Sequence, residues 1–214
     1  MCIFVLRKVW LYRFICPFYL GHVRCDNGCP KWPQRSTTAE RRREKRSWKQ
    51  NYFCIDTNGD FDTKEFTDKV QDLYTFSYKS KILLLKKEII ATGYGDYVVY
   101  PLERIQDESS YKIMIRQPDF FNDELFNKLK EKMDFDYSND LYFQVKEEHS
   151  VVQMLHIGSF DQEEQTFNKM KEFIKDSEYE IKTLSNQEIY LSDFRKTKTE
   201  NLKTILRYEI DIKK

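Results

Sequence analysis

A chain of 214 residues suffices for one large domain or two small ones, and its 40% hydrophobic and 15% aromatic content excludes a disordered polymer. The formal net charge of +1 conceals two opposed parts: residues 1–50 carry twelve Lys and Arg against three Asp and Glu, while residues 51–214 carry twenty-four against thirty-two. The larger part is therefore acidic, a poor match for a phosphate backbone, and nucleic acid is not an expected partner.

The first fifty residues differ in kind from the rest. They hold Trp10, Trp32 and Trp48, all the tryptophan of the chain, together with Cys2, Cys16, Cys25 and Cys29 and eight of the twelve arginines. This segment reads either as a late-acquired, poorly ordered extension or as upstream sequence translated from a misplaced start, with the main body running over 51–214. Its apolar beginning, Met1 to Leu20, is broken by Arg7, Lys8 and Arg13, so neither a membrane span nor a signal peptide is expected. Cys16, His22, Cys25 and Cys29 lack paired Cys-x-x-Cys spacing, and no metal or other cofactor is expected. The run Arg41-Arg42-Arg43-Glu44-Lys45-Arg46 reads as a solvated linker. A single cysteine in the body, Cys54, fits a small buried hydrophobe in a reducing compartment, so a cytoplasmic protein is expected.

From Asn51 the punctuation is regular. Tyr52–Ile55 predicts a strand, and a helix from about Asp62 follows, with Phe66, Val70, Leu73 and Ser77 on one face. Strands at Tyr97–Glu103 and Tyr111–Arg116 complete a first repeat over about 52–117. Asn122 caps a helix with the stripe Leu125, Phe126, Leu129 and Met133, and a strand near Leu141–Val145 leads into the second repeat, about 141–210. That repeat has a strand at Val151–Ile157, a helix from about Asp161 with Phe167, Met170 and Ile174, and strands at Glu188–Leu191 and Thr204–Ile210. Phe66 and Phe167, like Leu73 and Ile174, stand 101 positions apart, and Tyr100 is matched with Tyr190. The expected fold class is α+β: tandem strand–helix–hairpin units forming an antiparallel sheet assembly, helices outside, around a central ligand cleft. Asp56–Asp62 imitates the start of a calcium loop, but Phe61 replaces the required glycine and Thr67 the closing glutamate, so a strand-to-helix turn explains it.

Glu188 and Tyr190 lie two apart in an apolar strand and so share one sheet face. A buried carboxylate there demands solvent, a partner or a ligand. Spacing alone leaves open a surface acid beside an ordinary core tyrosine. His156 reads as a satisfied core histidine, and Tyr74 and Tyr78 as helix packing.

Together, Leu73-Tyr74 with Ser77-Tyr78, Tyr100-Pro101-Leu102-Glu103, Met114–Phe120, Gln153–Phe160 and Glu188–Asp193 resemble the GyrI-like small-molecule-binding domain family over about residues 52–210. The family also supplies effector domains of multidrug-sensing regulators. The resemblance implies a duplicated fold around a cleft that takes bulky, flat, often cationic aromatic compounds. It carries the central acid to Glu188, with Tyr190 beside it, and ligand-binding wall positions to Tyr74, Tyr100 and Glu103. Some relatives open the cyclopropane of DNA-alkylating antibiotics and so protect the cell. Here that would make Glu188 the general base and Tyr190 its proton-donating partner, the two catalytic residues. Three departures stand out: Arg104-Ile105 where Gly-Leu-Trp is usual, Phe194 for Pro, and Phe160 for Tyr. The expected function is binding of a hydrophobic or aromatic small molecule, with a cyclopropane-opening hydrolase and the sensing half of a transcription regulator as alternatives.

Overall fold

The computed structural model describes residues 3–6, 49–57, 63–106, 110–134, 136–147 and 149–213. In chain order the elements are β1 (Ile3–Leu6), β2 (Lys49–Thr57), α1 (Lys64–Leu85), β3 (Leu102–Gln106), β4 (Tyr111–Gln117), α2 (Asp123–Lys130), β5 (Leu141–Glu147), β6 (Ser150–Ile157), α3 (Glu163–Lys175), β7 (Tyr179–Tyr190) and β8 (Lys203–Ile212). The helices begin where the sequence offers caps. Thr63 Oγ1 accepts from Phe66 N at 3.2 Å, and Asn122 Oδ1 accepts from Leu125 N at 2.8 Å.

All eight strands join one antiparallel sheet in the order β1-β6-β8-β7-β3-β4-β2-β5. The repeat is visible in that order: β6-β8-β7 from the second unit meets β3-β4-β2 from the first, a mirrored sequence with a pseudo-two-fold axis between β3 and β7. Register locates the axis. The hairpins of both units open at matched positions, Gln106 facing Tyr111 and Tyr190 facing Thr204. Residues 84 apart are then equivalent, so Tyr190 corresponds to Gln106 and not to Tyr100. Across the seam, Arg104 faces Glu188 directly.

The units lie side by side and do not enclose a space between two sheets. Strand alternation places Phe53, Ile55, Leu102, Ile113 and Ile115 on one face, where α1 and α2 pack over them through Phe66, Val70, Leu73, Phe76, Leu125, Phe126 and Leu129. On the same face Val152, Met154, Leu206 and Tyr208 receive Phe167, Met170 and Ile174 of α3. The expected α+β fold is thus borne out: one antiparallel sheet assembly carries the described helices on one side. The β3–β7 seam is the floor between the two packed cores.

Other boundaries moved for local reasons. β3 starts at Leu102 rather than Tyr97, because Pro101 cannot donate and Leu102 N is given to Tyr74 Oη at 3.1 Å. β7 begins at Tyr179 rather than Glu188; a register shift between Ile181 and Asn186 and the polar run through Lys182, Thr183 and Ser185 hide its alternation. Within the first fifty residues, Ile3–Leu6 pairs with β6 as an edge strand and takes the place that β5 holds at the other end. Cys2, Cys16, Cys25, Cys29, His22, the basic run and residues 58–62 lie outside the described residues. Among the described residues no helix is long and apolar enough to cross a membrane.

Candidate functional site at the seam of the repeats

Glu188 lies on the helix face of the seam, its side chain only 3% exposed. Burying a carboxylate is costly unless both oxygens are engaged. Here they are: Arg104 Nη2 donates to Oε1 at 2.5 Å, and Tyr190 Oη donates to Oε2 at 2.6 Å. Arg104 is itself buried, with its guanidinium 4.9 Å from the centre of the Tyr111 ring and a long bond to Gln106 Oε1 at 3.4 Å. Burial, reinforced by the neighbouring Glu188 charge, holds the Tyr190 phenol well above the usual tyrosine range. It therefore remains a donor at any physiological pH.

A second acid completes the cluster. Glu163, the first residue of α3, is pushed up to about 8, first by burial and then by the charge of Glu188; Arg104 and a hydrogen bond with Thr204 pull the other way. Its Oε1 finds no hydrogen-bond partner among the described residues. Because the folded protein holds this proton well above the unfolded value of about 4.3, stability is full below that pH and falls as pH rises towards 8. Glu163→Gln removes the penalty. It should leave the unfolding free energy at pH 4 nearly unchanged and raise it by about 2 kcal/mol at pH 8.5, after allowance for residual solvent screening. Urea titrations at the two pH values measure the difference, and equal gains at both would refute the assignment.

Aromatic groups from both repeats surround this cluster. Tyr74 reaches over from α1, tied by its bond from Leu102 N and stacked on Tyr78 at 6.2 Å. Phe160, in the turn before α3, meets the Tyr190 ring edge-on at 5.8 Å, and Phe194 meets Phe160 at 6.4 Å. Tyr78, Phe160 and Phe194 are all exposed. The loop after β7 also carries Asp193, held below the usual carboxylate range chiefly by Arg195, whose Nε and Nη2 donate to it at 3.0 and 3.1 Å. Where β6 turns into α3, Gly158 takes φ 129°, open to glycine almost alone. His156 beside it is structural, as expected: Nε2 donates to Ser159 O at 2.9 Å, which leaves Nδ1 to accept from Thr166 Oγ1 at 3.0 Å.

Of the residues singled out in the sequence, Glu188 and Tyr190 meet at this seam, and Tyr74 borders it through Leu102. Tyr100 packs against the first core, its ring 5.6 Å from the Arg116 guanidinium. Glu103 stands on the opposite face of the sheet, because it is one residue from Arg104 in a regular strand. There it is buried and accepts from Gln187 Nε2 at 2.5 Å; burial pushes its carboxyl up despite Arg207, Arg116 and Lys146. Glu103 therefore does not share a wall with Glu188. Cys54, on that face too, is a buried thiol pushed up to about 12 by burial, an inert core group. Arg104 and Glu163 were the members not foreseen. A shallow hollow beside α2, lined by Asn127, Lys130, Glu131, Met133 and Ser138, shares no residue with the cluster.

Comparison with known proteins agrees with this geometry. A profile of the GyrI-like small molecule binding domain matches residues 49–210. The chain belongs to the GyrI-like family. Among solved structures, a hydrolase from Listeria innocua is 33% identical over 76% of this chain and 88% of that one, with a TM-score of 0.69. A structure described as an uncharacterized conserved protein from the same organism gives the same identity, coverage and TM-score. No protein of curated function matches the chain. This GyrI-like chain is thus a small-molecule-binding domain, its described strands forming one antiparallel sheet with the described helices on a single side.

Proposed function

We propose that the GyrI-like chain binds a flat, largely apolar aromatic compound over the β3–β7 seam, with Tyr190, Glu188 and Tyr74 as its main contacts. The observation that carries this reading is the buried Glu188–Tyr190 pair ringed by exposed aromatic side chains from both repeats. Exposed aromatic edges supply stacking area at small entropic cost, and a few buried polar groups fix orientation. Titration calorimetry with acridine as the probe tests it. Tyr74→Ala and Glu188→Gln should each weaken binding at least tenfold, and unchanged affinity in both would move the ligand elsewhere.

A second reading is favoured by the Listeria structure described as a hydrolase. A strained cyclopropane conjugated to an aromatic enone could be opened here by water. The water oxygen bonds to the strained carbon, the carbon–carbon electron pair shifts through the ring to the carbonyl oxygen, and Glu188 accepts the water proton. Tyr190, held protonated, can donate to the oxygen that gains charge. With such an alkylator, Glu188→Gln should lower turnover by about 10²–10⁴-fold. Saturable binding with no ring-opened product in the wild type would leave binding as the whole activity.

A further inference from the structure

We infer that Arg104 acts as the resident counter-ion of Glu188 and sets the charge preference of the site, so that it takes uncharged aromatic compounds carrying a hydrogen-bond acceptor and rejects cations. The inference rests on the seam being the ligand site, as proposed above. Its foundation is geometric. Arg104 and Glu188 face each other across the seam, bond at 2.5 Å, and are 8% and 3% exposed. The second oxygen of Glu188 is taken by Tyr190. An incoming cation would meet a carboxylate already engaged on both oxygens and a buried guanidinium beside it. In a poorly solvated site that repulsion is scarcely screened.

The remaining charged groups do not reverse the balance. Glu163, pushed up to about 8, is mostly neutral at pH 7, and at the rim Asp193 is matched by Arg195 and by the exposed Lys196 at 3.8 Å. The nearest charges thus offer no net negative charge to attract a cation, and an uncharged occupant leaves them undisturbed. Guanidinium N–H groups favour a carbonyl or ring-nitrogen acceptor on it.

Acridine, uncharged at pH 7, and 9-aminoacridine, a cation of the same shape, make a matched pair of probes. The full-length wild type should bind acridine at least tenfold more tightly. Arg104→Gln, which keeps a donor for Glu188 but removes the charge, should reverse the order, with the cation gaining at least tenfold and raising the melting temperature of the variant. Arg104→Lys should keep the wild-type order. Equal binding of both probes by the wild type, abolished in Tyr74→Ala, would overturn the counter-ion role while leaving the site intact. If neither probe binds the wild type or Arg104→Gln, the site itself is refuted and this inference with it. The wild-type comparison decides the matter even if the Gln variant is poorly folded.

Discussion

Arg104→Leu should destabilise the protein by about 3–5 kcal/mol, whereas Arg104→Leu combined with Glu188→Leu should cost far less, about 1–2 kcal/mol at most. The single change leaves a carboxylate buried at 3% exposure with only the Tyr190 hydroxyl against it. The double change removes both ions, and with them the desolvation that the pair has to offset. Leucines at these two positions would lie on the helix face, between cores that already bury Leu102 and Leu206. Urea denaturation followed by far-ultraviolet circular dichroism would give the four corners of the cycle, the main body having no tryptophan after Trp48 to report on it. Additive single effects would show that the two side chains do not depend on each other.

Phe53→Ala should cost a similar amount, about 3–5 kcal/mol, by leaving a cavity in the first core. Phe53 has no exposed surface and sits in β2 between β4 and β5. Its ring meets Phe76 of α1 at 4.8 Å, Phe121 at 5.2 Å and Phe126 of α2 at 5.5 Å, so one side chain joins the strand to both helices. Edge-on aromatic pairs add to the area term. Phe53→Leu, which keeps most of the volume, should cost no more than about 1.5 kcal/mol. The ratio of the two losses, read from thermal or urea unfolding, separates cavity formation from a general intolerance of the position.

How much of this could be read from residues alone depended on the length scale of the signal. Helical stripes such as Phe66, Val70 and Leu73, or Phe167, Met170 and Ile174, are local patterns, and both helices formed where they indicated. The pairing of Glu188 with Tyr190 followed from strand alternation. The same alternation, applied to Leu102-Glu103-Arg104, separates Glu103 from Glu188, but only once β3 is known to lie beside β7 with Arg104 opposite Glu188. That register is a long-range fact with no local marker. Arg104 did leave a trace: only four arginines occur after residue 50 against twenty lysines, and this one stands between Leu102 and Ile105 in a strand. Glu163 left none, since an acid at the start of a helix is commonplace. The polar middle of β7 concealed that strand because its register is irregular there.

The two seam bonds, Arg104 to Glu188 and Gln187 to Glu103, each join residues 84 positions apart, one bond on either side of the sheet. They link positions that the duplication made equivalent. In a homodimer of single units those positions would hold the same amino acid twice, and at the symmetry axis an arginine could face only arginine, a glutamate only glutamate. Fusion of the halves into one polypeptide lifts that restriction and lets the centre of the molecule become polar in one direction. The two sides of the seam then differ in charge, with a guanidinium on the β3 side and a carboxylate on the β7 side.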